Sequence, residues 1–234
     1  MSMKKIIAAL LALVLCLGLV ACGGGNEETK PTTKPTTKPT TAPTQSADGF
    51  VEVSTAEQVL EKFELGKPGK IKLANDITMD LDKTSDMPLR VLADLTLDLN
   101  GHVLTINQYA VGNVISIQSR TSACTFTLMD SSAEGKGVLR GVIAKEGMGR
   151  DLIRVNLMND AQHCILESGT LEWTLADGVT VANPENGLRI FNISSSEEIP
   201  SSAIVKGGKC KIPTSSIFAA YLYSARNTPA VVEG

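Results

Sequence analysis

The stretch Leu95-Thr-Leu-Asp-Leu-Asn-Gly-His-Val-Leu-Thr105 carries the strongest indication of the fold. Apolar and polar residues alternate before Asn100-Gly101, and a second apolar run follows it, as expected of two β-strands joined by a turn. Asn-Gly accepts positive φ and therefore marks a sharp turn between the two strands. Taken alone, this turn is the strongest short signal of an antiparallel hairpin, as in a β-sandwich.

The wider chain favours a different all-β architecture, because its apolar pairs recur. They are spaced by 24, 31 and 27 residues and are Ile71/Leu73, Leu95/Leu97, Phe126/Leu128 and Ile153/Val155. A second phrase recurs as Ile165-Leu-Glu-Ser-Gly169, Ile204-Val-Lys-Gly-Gly208 and Val231-Val-Glu-Gly234. One such unit cannot bury its apolar face alone, so stacked units must build the core. We therefore predict a β-solenoid, with a β-sandwich as the alternative.

One helix is predicted ahead of the first repeat, from about Thr55 to Leu65. Ser54-Thr-Ala-Glu57 has the pattern of a capping box, and apolar residues follow it at helical spacing. Gly66 stands where a helix C-terminus requires a left-handed residue. A helix at this place would cover apolar side chains and unpaired backbone at the end of a solenoid, so we expect it to cap the domain.

The N-terminus predicts export and membrane attachment. Lys4 and Lys5 precede an apolar run from Ile6 to Val20, which is too short for a membrane span of about 20 residues. The following Leu19-Val-Ala-Cys22 resembles the lipobox of bacterial lipoproteins, which implies that residues 1–21 are removed and that Cys22 carries the lipid. The alternative is an ordinary secretory signal that leaves Cys22 free. Two acyl chains suffice for stable anchoring, so we expect a protein on the extracellular face of a bacterial membrane.

Residues 22–48 are predicted to form a disordered linker. Lys-Pro-Thr-Thr occurs three times between Lys30 and Thr41, and regularly spaced prolines exclude a helix and favour polyproline II. Fully extended, such a linker would reach about 80 Å. The remaining residues, 49–234, are long enough for one domain with a core of its own.

Charge and cysteine content exclude several classes of function. Removal of residues 1–21 takes away two lysines and no acid, so the formal charge of −3 becomes about −5. An acidic chain without a basic patch is not suited to nucleic acid. Cys124, Cys164 and Cys210 could form at most one disulfide, and we expect free, buried thiols instead. They have neither zinc-type spacing nor a nearby pair of histidines, so we expect no cofactor or metal.

The domain resembles the pectate-lyase-like right-handed parallel β-helix superfamily. The resemblance rests on Val53–Leu60, on Ile71–Thr78 as one strand, and on Leu97–Thr105, and it implies a right-handed parallel β-helix over 49–234. Members include polysaccharide lyases, glycoside hydrolases, adhesins and noncatalytic repeat modules. A lyase of this type would hold calcium between carboxylates of adjacent coils and use a basic residue to remove a proton.

No catalytic phrase of that superfamily is present in the chain. The nearest candidates, which are also ordinary surface charges, are Asp94, Asp98, Asp130, Asp151, Arg140, Arg150 and Arg154. His102 follows a turn, and Ser194–Ser196 lack the nucleophile-elbow pattern, which indicates a serine-rich loop. The candidates for stacking on sugar rings are Trp173, Tyr221 and Tyr223. Alternation, however, puts Trp173 on the core face.

Three functions remain open from the sequence. The first is a surface-tethered, noncatalytic β-helix lipoprotein that binds glycan or another cell-surface partner. The second is a polysaccharide lyase or glycoside hydrolase of the same fold, and the third is a structural spacer without a ligand. Because Val231–Gly234 stops inside a recurring phrase, we also expect either a shortened relative of a longer β-helix or end-to-end self-association.

Overall fold

The computed structural model describes residues 45–81, 88–109, 112–145, 151–179 and 188–213. Within these ranges one helix, α1 (Ala56–Glu64), accompanies fifteen strands in three sheets, numbered in chain order. Sheet 1 contains β1 (Val51–Val53), β2 (Gly69–Leu73), β5 (Leu95–Asp98), β8 (Cys124–Met129), β11 (Gln162–Leu166) and β14 (Ser202–Val205). Sheet 2 contains β3 (Ile77–Asp80), β6 (Val103–Gln108), β9 (Val138–Ile143), β12 (Thr170–Leu175) and β15 (Lys209–Lys211). Sheet 3 contains β4 (Leu89–Val91), β7 (Asn113–Ile117), β10 (Asp151–Val155) and β13 (Arg189–Ile193).

The chain visits the three sheets in turn, and the ladders between these strands are parallel. From β2 onward, each run of three strands therefore forms one coil of a parallel β-helix, and β14 and β15 begin the fifth coil. This confirms the predicted all-β solenoid. The alternative, a sandwich with a hairpin at Asn100-Gly101, is wrong because β5 and β6 lie in different sheets. Both turn residues do have positive φ, of 50° and 79°, which here bends the chain around a corner.

The strand register confirms one predicted interval and corrects two. Leu97 lies opposite Leu128, as the interval of 31 residues requires. The interval of 24 is wrong by two residues, because Ile71 lies opposite Leu97. The interval of 27 is also wrong, because Ile153 belongs to sheet 3 and the residue opposite Leu128 is Leu166. Alternation identifies a buried strand but does not say which of three sheets receives it.

The second recurring phrase predicts its register correctly. Ile165 lies opposite Ile204, and the chain then turns from sheet 1 into sheet 2 at Gly169 and at Gly208. Their φ angles are 90° and 93°, a conformation that favours glycine. The third copy, at 231–234, lies outside the described residues, and so does the predicted C-terminal end of the solenoid.

The start of the domain is capped, as predicted. β1 continues sheet 1 beside β2, while α1 packs against β3 and β4 of the first coil. The cap thus supplies a strand for one sheet and a helix for the edges of the other two. Phe63 of α1 is buried, and its ring centroid lies 5.9 Å from that of Phe126. Burying such a side chain contributes about 2 kcal/mol.

The N-terminus of α1 lies one residue later than its predicted capping box. Thr55 is the N-cap, and its Oγ1 accepts a hydrogen bond from the Gln58 backbone N–H at 3.3 Å. The Gln58 side chain reaches back and accepts from the Ser54 N–H at 2.8 Å. The reciprocal pair is therefore Thr55 with Gln58, because Gln58 rather than Glu57 occupies the third helical position. Gly66 ends the helix with a φ of 61°, as predicted.

Trp173 is a core residue, as its alternation with Leu171 predicts. Only 2% of its surface is exposed, and its Nε1 donates to the Arg189 carbonyl at 2.9 Å. Gly141 lies opposite it on the neighbouring strand, where an added Cβ would lie 2.6 Å from Trp173 Cζ3. The glycine therefore provides the space that the indole fills.

Candidate functional site

The corner between sheets 1 and 2 is linked from coil to coil by polar side chains. The predicted single strand Ile71–Thr78 is interrupted here, since β2 ends at Leu73 and β3 begins at Ile77. The Asn75 side chain donates to the Ser54 carbonyl at 3.3 Å, and the Asn100 side chain donates to the Leu73 carbonyl at 3.0 Å. These bonds satisfy backbone groups that the turn leaves without a ladder partner.

Asp98 is the first buried carboxylate of this corner. Its Oδ1 accepts backbone N–H bonds from Asn100 and Ser131, each at 2.9 Å. Its Oδ2 lies 3.4 Å from the Lys72 ammonium, which also contacts Asp48 at 3.2 Å. Asp98, in coil 2, therefore contacts coils 1 and 3, and its charge is already neutralised within the chain.

Asp130 is the second buried carboxylate of the corner. Its Oδ1 accepts from the Gly101 and Ser132 N–H groups at 2.8 and 3.1 Å, and its Oδ2 accepts from the Gly137 N–H at 2.6 Å. Burial raises the pKa of Asp130, but these bonds and the Ser132 side chain outweigh it and leave the pKa below its ordinary value. We call Asp98 and Asp130 with their donors the corner network, and its geometry is structural.

The outer face of sheet 1 carries a shallow groove of about 510 Å³, which we call the sheet 1 groove. It is lined by Gly49, Pro68, Gly69, Lys70, Asp94, Leu95, Thr96, Thr125 and Thr127. Thr96 and Thr127 lie opposite each other on neighbouring strands, so their side chains project side by side. Asp94 accepts the Thr125 backbone N–H at 2.8 Å with one oxygen, so it fixes the rim of the groove.

The remaining charged candidates lie on the other two faces. On sheet 3, Asp151 accepts from Arg189 Nε at 2.6 Å and from the Asn192 side chain at 2.8 Å. On sheet 2, Arg140 Nε donates to Glu172 at 2.6 Å. The structure therefore does not unite the predicted charged set into one site. Its members occupy a corner, a groove rim and two separate faces, while Arg150 lies outside the described residues.

Neither histidine has a catalytic geometry. His102 is the predicted turn-flank residue, since its N–H donates to the Leu99 carbonyl at 2.8 Å and its ring Nδ1 lies 3.3 Å from Asp76. His163 Nδ1 lies 2.9 Å from the Ser202 hydroxyl on the next strand. Both rings therefore make local contacts between coils.

The serines at 194–196 hold a loop, as predicted. Ser195 is buried, and its hydroxyl accepts the Ser201 N–H at 3.0 Å. The Ser196 hydroxyl accepts the Ile199 N–H at 3.1 Å. Hydroxyls engaged in this way shape the chain between β13 and β14.

The three domain cysteines are free, but only two fit the predicted burial. Cys124 and Cys164 are buried, whereas Cys210 is exposed, which corrects the expectation for that residue. Burial, with a smaller effect of the Asp94 charge, raises the pKa of the Cys124 thiol to about 12. Burial likewise raises the pKa of the Cys164 thiol. Raised pKa values suppress the thiolate, which is the nucleophilic form.

Several predictions fall on residues that the structure does not describe. They are the lipid attachment at Cys22, the linker up to residue 44, and sugar stacking by Tyr221 and Tyr223. Among the described residues, no group of His, Cys, Asp or Glu side chains is arranged to hold a metal ion. Within the same ranges, no helix is long and apolar enough to cross a membrane.

Three polar residues of sheet 3, Arg90, Ser116 and Asn192, are not among the candidates predicted from the sequence. Arg90, Ser116 and Asn192 lie in one register row with Arg154, although they are far apart in sequence. The available signal is the phrase of two adjacent apolar residues, one polar residue and one further apolar residue. It occurs as Val114-Ile-Ser-Ile117, Leu152-Ile-Arg-Val155 and Ile190-Phe-Asn-Ile193.

Comparison with known proteins identifies no relative from which the roles of these residues could be inferred. No family model, no curated protein and no solved structure matches the chain. The fold and the arrangement of these side chains therefore carry the functional argument.

Proposed function

We propose that the chain is a surface-tethered, noncatalytic β-helix lipoprotein that binds a glycan of the cell surface, with the sheet 1 groove as the contact. The groove is the observation that carries the proposal. It is open, shallow and about 510 Å³ in volume, which suits a chain laid across the strands better than an enclosed small molecule. Sugar hydroxyls need both donors and acceptors, and the groove presents both.

The groove lining supports hydrogen bonding to a polyol. Thr96 and Thr127 contribute hydroxyls on neighbouring strands, and Lys70 continues the same row on β2. Strands lie about 4.8 Å apart, so these groups form a regular polar strip. Each hydroxyl is both donor and acceptor, which matches the hydroxyls of a sugar ring.

The groove supports binding more than hydrolysis. A glycoside hydrolase needs two carboxylates on opposite sides of the scissile bond. Among the described lining residues Asp94 is the one carboxylate, and one of its oxygens already accepts the Thr125 N–H. The other predicted aspartates are engaged in the corner network or with Arg189.

The lipid anchor belongs to the same proposal. Diacylglyceryl attachment at Cys22 would hold the domain on the outer side of the membrane. Cells that express the chain are fractionated, and the mature protein is analysed by mass spectrometry. We expect the wild type in the membrane fraction with a lipid mass on Cys22, and Cys22→Ala in the medium. Wild-type protein in the medium with an unmodified Cys22 would show an ordinary secretory signal.

Glycan binding is tested with residues 22–234 carrying Cys22→Ser. The protein is titrated with neutral cell-surface and plant glycans, and chain scission is followed in the same samples. The double variant Thr96→Val/Thr127→Val should bind about thirtyfold more weakly, because two hydrogen bonds of about 1 kcal/mol each are lost. The matched control is Thr78→Val/Thr105→Val, a pair that also lies side by side, but on sheet 2.

Each result of this titration has one meaning. Retention of an intact glycan that is weakened only by the sheet 1 variant supports the proposal. Scission at useful turnover would establish an enzyme instead. Equal weakening in both double variants, or no binding by the wild type, would reject the groove as the contact.

A further inference from the structure

A row of polar side chains crosses the outer face of sheet 3. Arg90, Ser116, Arg154 and Asn192 lie opposite one another on β4, β7, β10 and β13, and we call them the arginine row. The residues flanking them in each strand, such as Ile153 and Val155, are buried in the core, so alternation directs the row away from it. Arg90 and Arg154 are half-buried there, whereas Ser116 and Asn192 are buried. Two strand spacings separate Arg90 from Arg154, which is about 10 Å.

Arg154 is the unusual member of the row. Its Nε is buried and has no hydrogen-bond partner, and within the described ranges its guanidinium forms no ion pair. Arg90 Nε is also buried without a partner, and its terminal nitrogen lies 3.7 Å from Glu64. Burying such donors without an acceptor costs free energy. An external acceptor would recover that cost.

The arginines of the other faces behave differently. Arg140 on sheet 2 is bound to Glu172 at 2.6 Å. Arg189, beside the row, is bound to Asp151 at 2.6 Å, which leaves Asp151 committed. Among the four arginines on the described strands of sheets 2 and 3, Arg154 is therefore the one without an ion pair, in a chain whose overall charge is negative.

The two other residues of the row are neutral: Ser116 lies between the arginines, and Asn192 lies on the far side of Arg154. The Ser116 hydroxyl accepts from the Asn156 side chain at 2.7 Å and lies 3.2 Å from the Gln118 side chain. Asn192 donates to Asp151 at 2.8 Å. The row therefore offers the guanidinium of Arg154, which has no ion-pair partner among the described residues, and two strands away that of Arg90, whose terminal nitrogen lies 3.7 Å from the exposed Glu64. The nearby Asp151 is already bound to Arg189.

We propose that the arginine row binds oxyanions carried at intervals along an acidic polysaccharide. A guanidinium presents paired N–H donors that match the two oxygens of a carboxylate or sulfate. Arg154 binds the first oxyanion, and Arg90 binds a second about two strand spacings away. The site is separate from the sheet 1 groove and goes beyond the neutral glycan binding proposed there.

The test uses residues 22–234 with Cys22→Ser and three probes. Dextran sulfate and polygalacturonate supply sulfate and carboxylate groups, and uncharged dextran is the matched blank. We expect binding of at least one acidic probe that weakens at higher salt, because salt screens the charges. Arg154→Gln should weaken that binding about tenfold, since a hydrogen bond to a charged group is among the stronger ones.

The control variants separate a site from general charge attraction. Arg140→Gln removes the same charge from sheet 2 and should leave the affinity within twofold. Arg154→Lys keeps the charge without the paired donors and should fall between the wild type and Arg154→Gln. Unfolding curves of each variant establish that the fold is kept.

Two results would overturn the proposal: no binding of either acidic probe at low salt, or equal losses in Arg154→Gln and Arg140→Gln. Neutral glycan binding by the sheet 1 groove is measured in the same variants. Since Arg154 does not line that groove, the two proposals can fail separately.

Discussion

The corner network and the arginine row both hold charged groups at low exposure, yet they treat them in opposite ways. In the corner, Asp130 uses both oxygens to accept three backbone N–H groups. In the row, Arg154 has a buried Nε without an acceptor. A charged group whose hydrogen bonds are all made within its own chain has a structural role. A charged group without a partner in the chain is available to bind a ligand. This contrast can be tested one residue at a time.

The largest effect is expected from Asp130→Ala. Three backbone donors would lose their acceptor in a buried turn, so the free energy of unfolding should fall by about 3–5 kcal/mol. Urea denaturation measures the change. Asp76→Ala is the matched control, because Asp76 is exposed and accepts one backbone N–H, from Val103 at 3.0 Å. Its loss should stay near 1 kcal/mol, and equal losses would mean that burial does not distinguish the corner.

Arg189→Gln should have the next largest effect. It leaves the buried Asp151 carboxylate with a neutral partner, and breaking a buried pair costs about 3 kcal/mol. Arg140→Gln breaks a more exposed pair and should cost less than about 1 kcal/mol. Thermal and urea unfolding of both variants rank the two faces. A smaller loss for Arg189→Gln than for Arg140→Gln would remove the structural role assigned to Asp151.

Arg154→Leu should change stability little, and in the opposite direction. The substitution removes a buried donor that has no acceptor, so the free energy of unfolding should stay constant or rise by up to about 1 kcal/mol. The same urea titration gives the value. A loss as large as that of Arg189→Gln would make Arg154 a structural residue and would end the contrast with the corner.

The smallest expected effect is the pH dependence of the stability contributed by Asp48, an exposed residue that contacts Lys72 beside the corner network. The Ser46 hydroxyl and the Lys72 ammonium lower the pKa of Asp48 from 3.8 to about 2. A pKa lowered by folding means that the contribution is complete above about pH 4 and is lost as pH falls towards 2. Melting temperatures of the wild type and Asp48→Asn should therefore differ slightly at pH 5 and converge near pH 2. A constant difference across this range would exclude the ionised carboxylate as the cause.

The sequence predicts the strands better than it predicts their sheets. Alternation is a property of one strand, so Leu95–Leu99 and Phe126–Leu128 are readable without knowing their neighbours. Assignment to a sheet depends on how many residues the preceding corner uses, and corners vary in length. For this reason the interval of 27 residues assigns Ile153 to sheet 1, although it lies in sheet 3. Asn100-Gly101 shows the same limit, because a hairpin and a corner need the same positive φ angles.

The candidate sites are less predictable still. A register row draws one residue from each coil, so Arg90 and Arg154 lie only two strands apart in the sheet although 64 positions separate them in sequence. In sheet 3 both Leu152 and Ile153 enter the core, which interrupts the alternation that would place Arg154. The hydrogen-bond partners of a charged group cannot be read from the sequence, which therefore does not distinguish the bonded Asp130 from the unpaired Arg154.

The Gly141 and Trp173 pair has a consequence for how the coils can be ordered. Ile106, Gly141 and Trp173 share one register row through coils 2, 3 and 4, and the indole fits only because its neighbour has no side chain. If coil 3 were deleted, Trp173 would meet Ile106, whose branched side chain fills the space that Gly141 leaves open. The coils are therefore not interchangeable parts. The fit of Trp173 against Gly141 therefore requires coil 3 to lie next to coil 4. A chain without coil 3 would place two large side chains in the same space and would be destabilised.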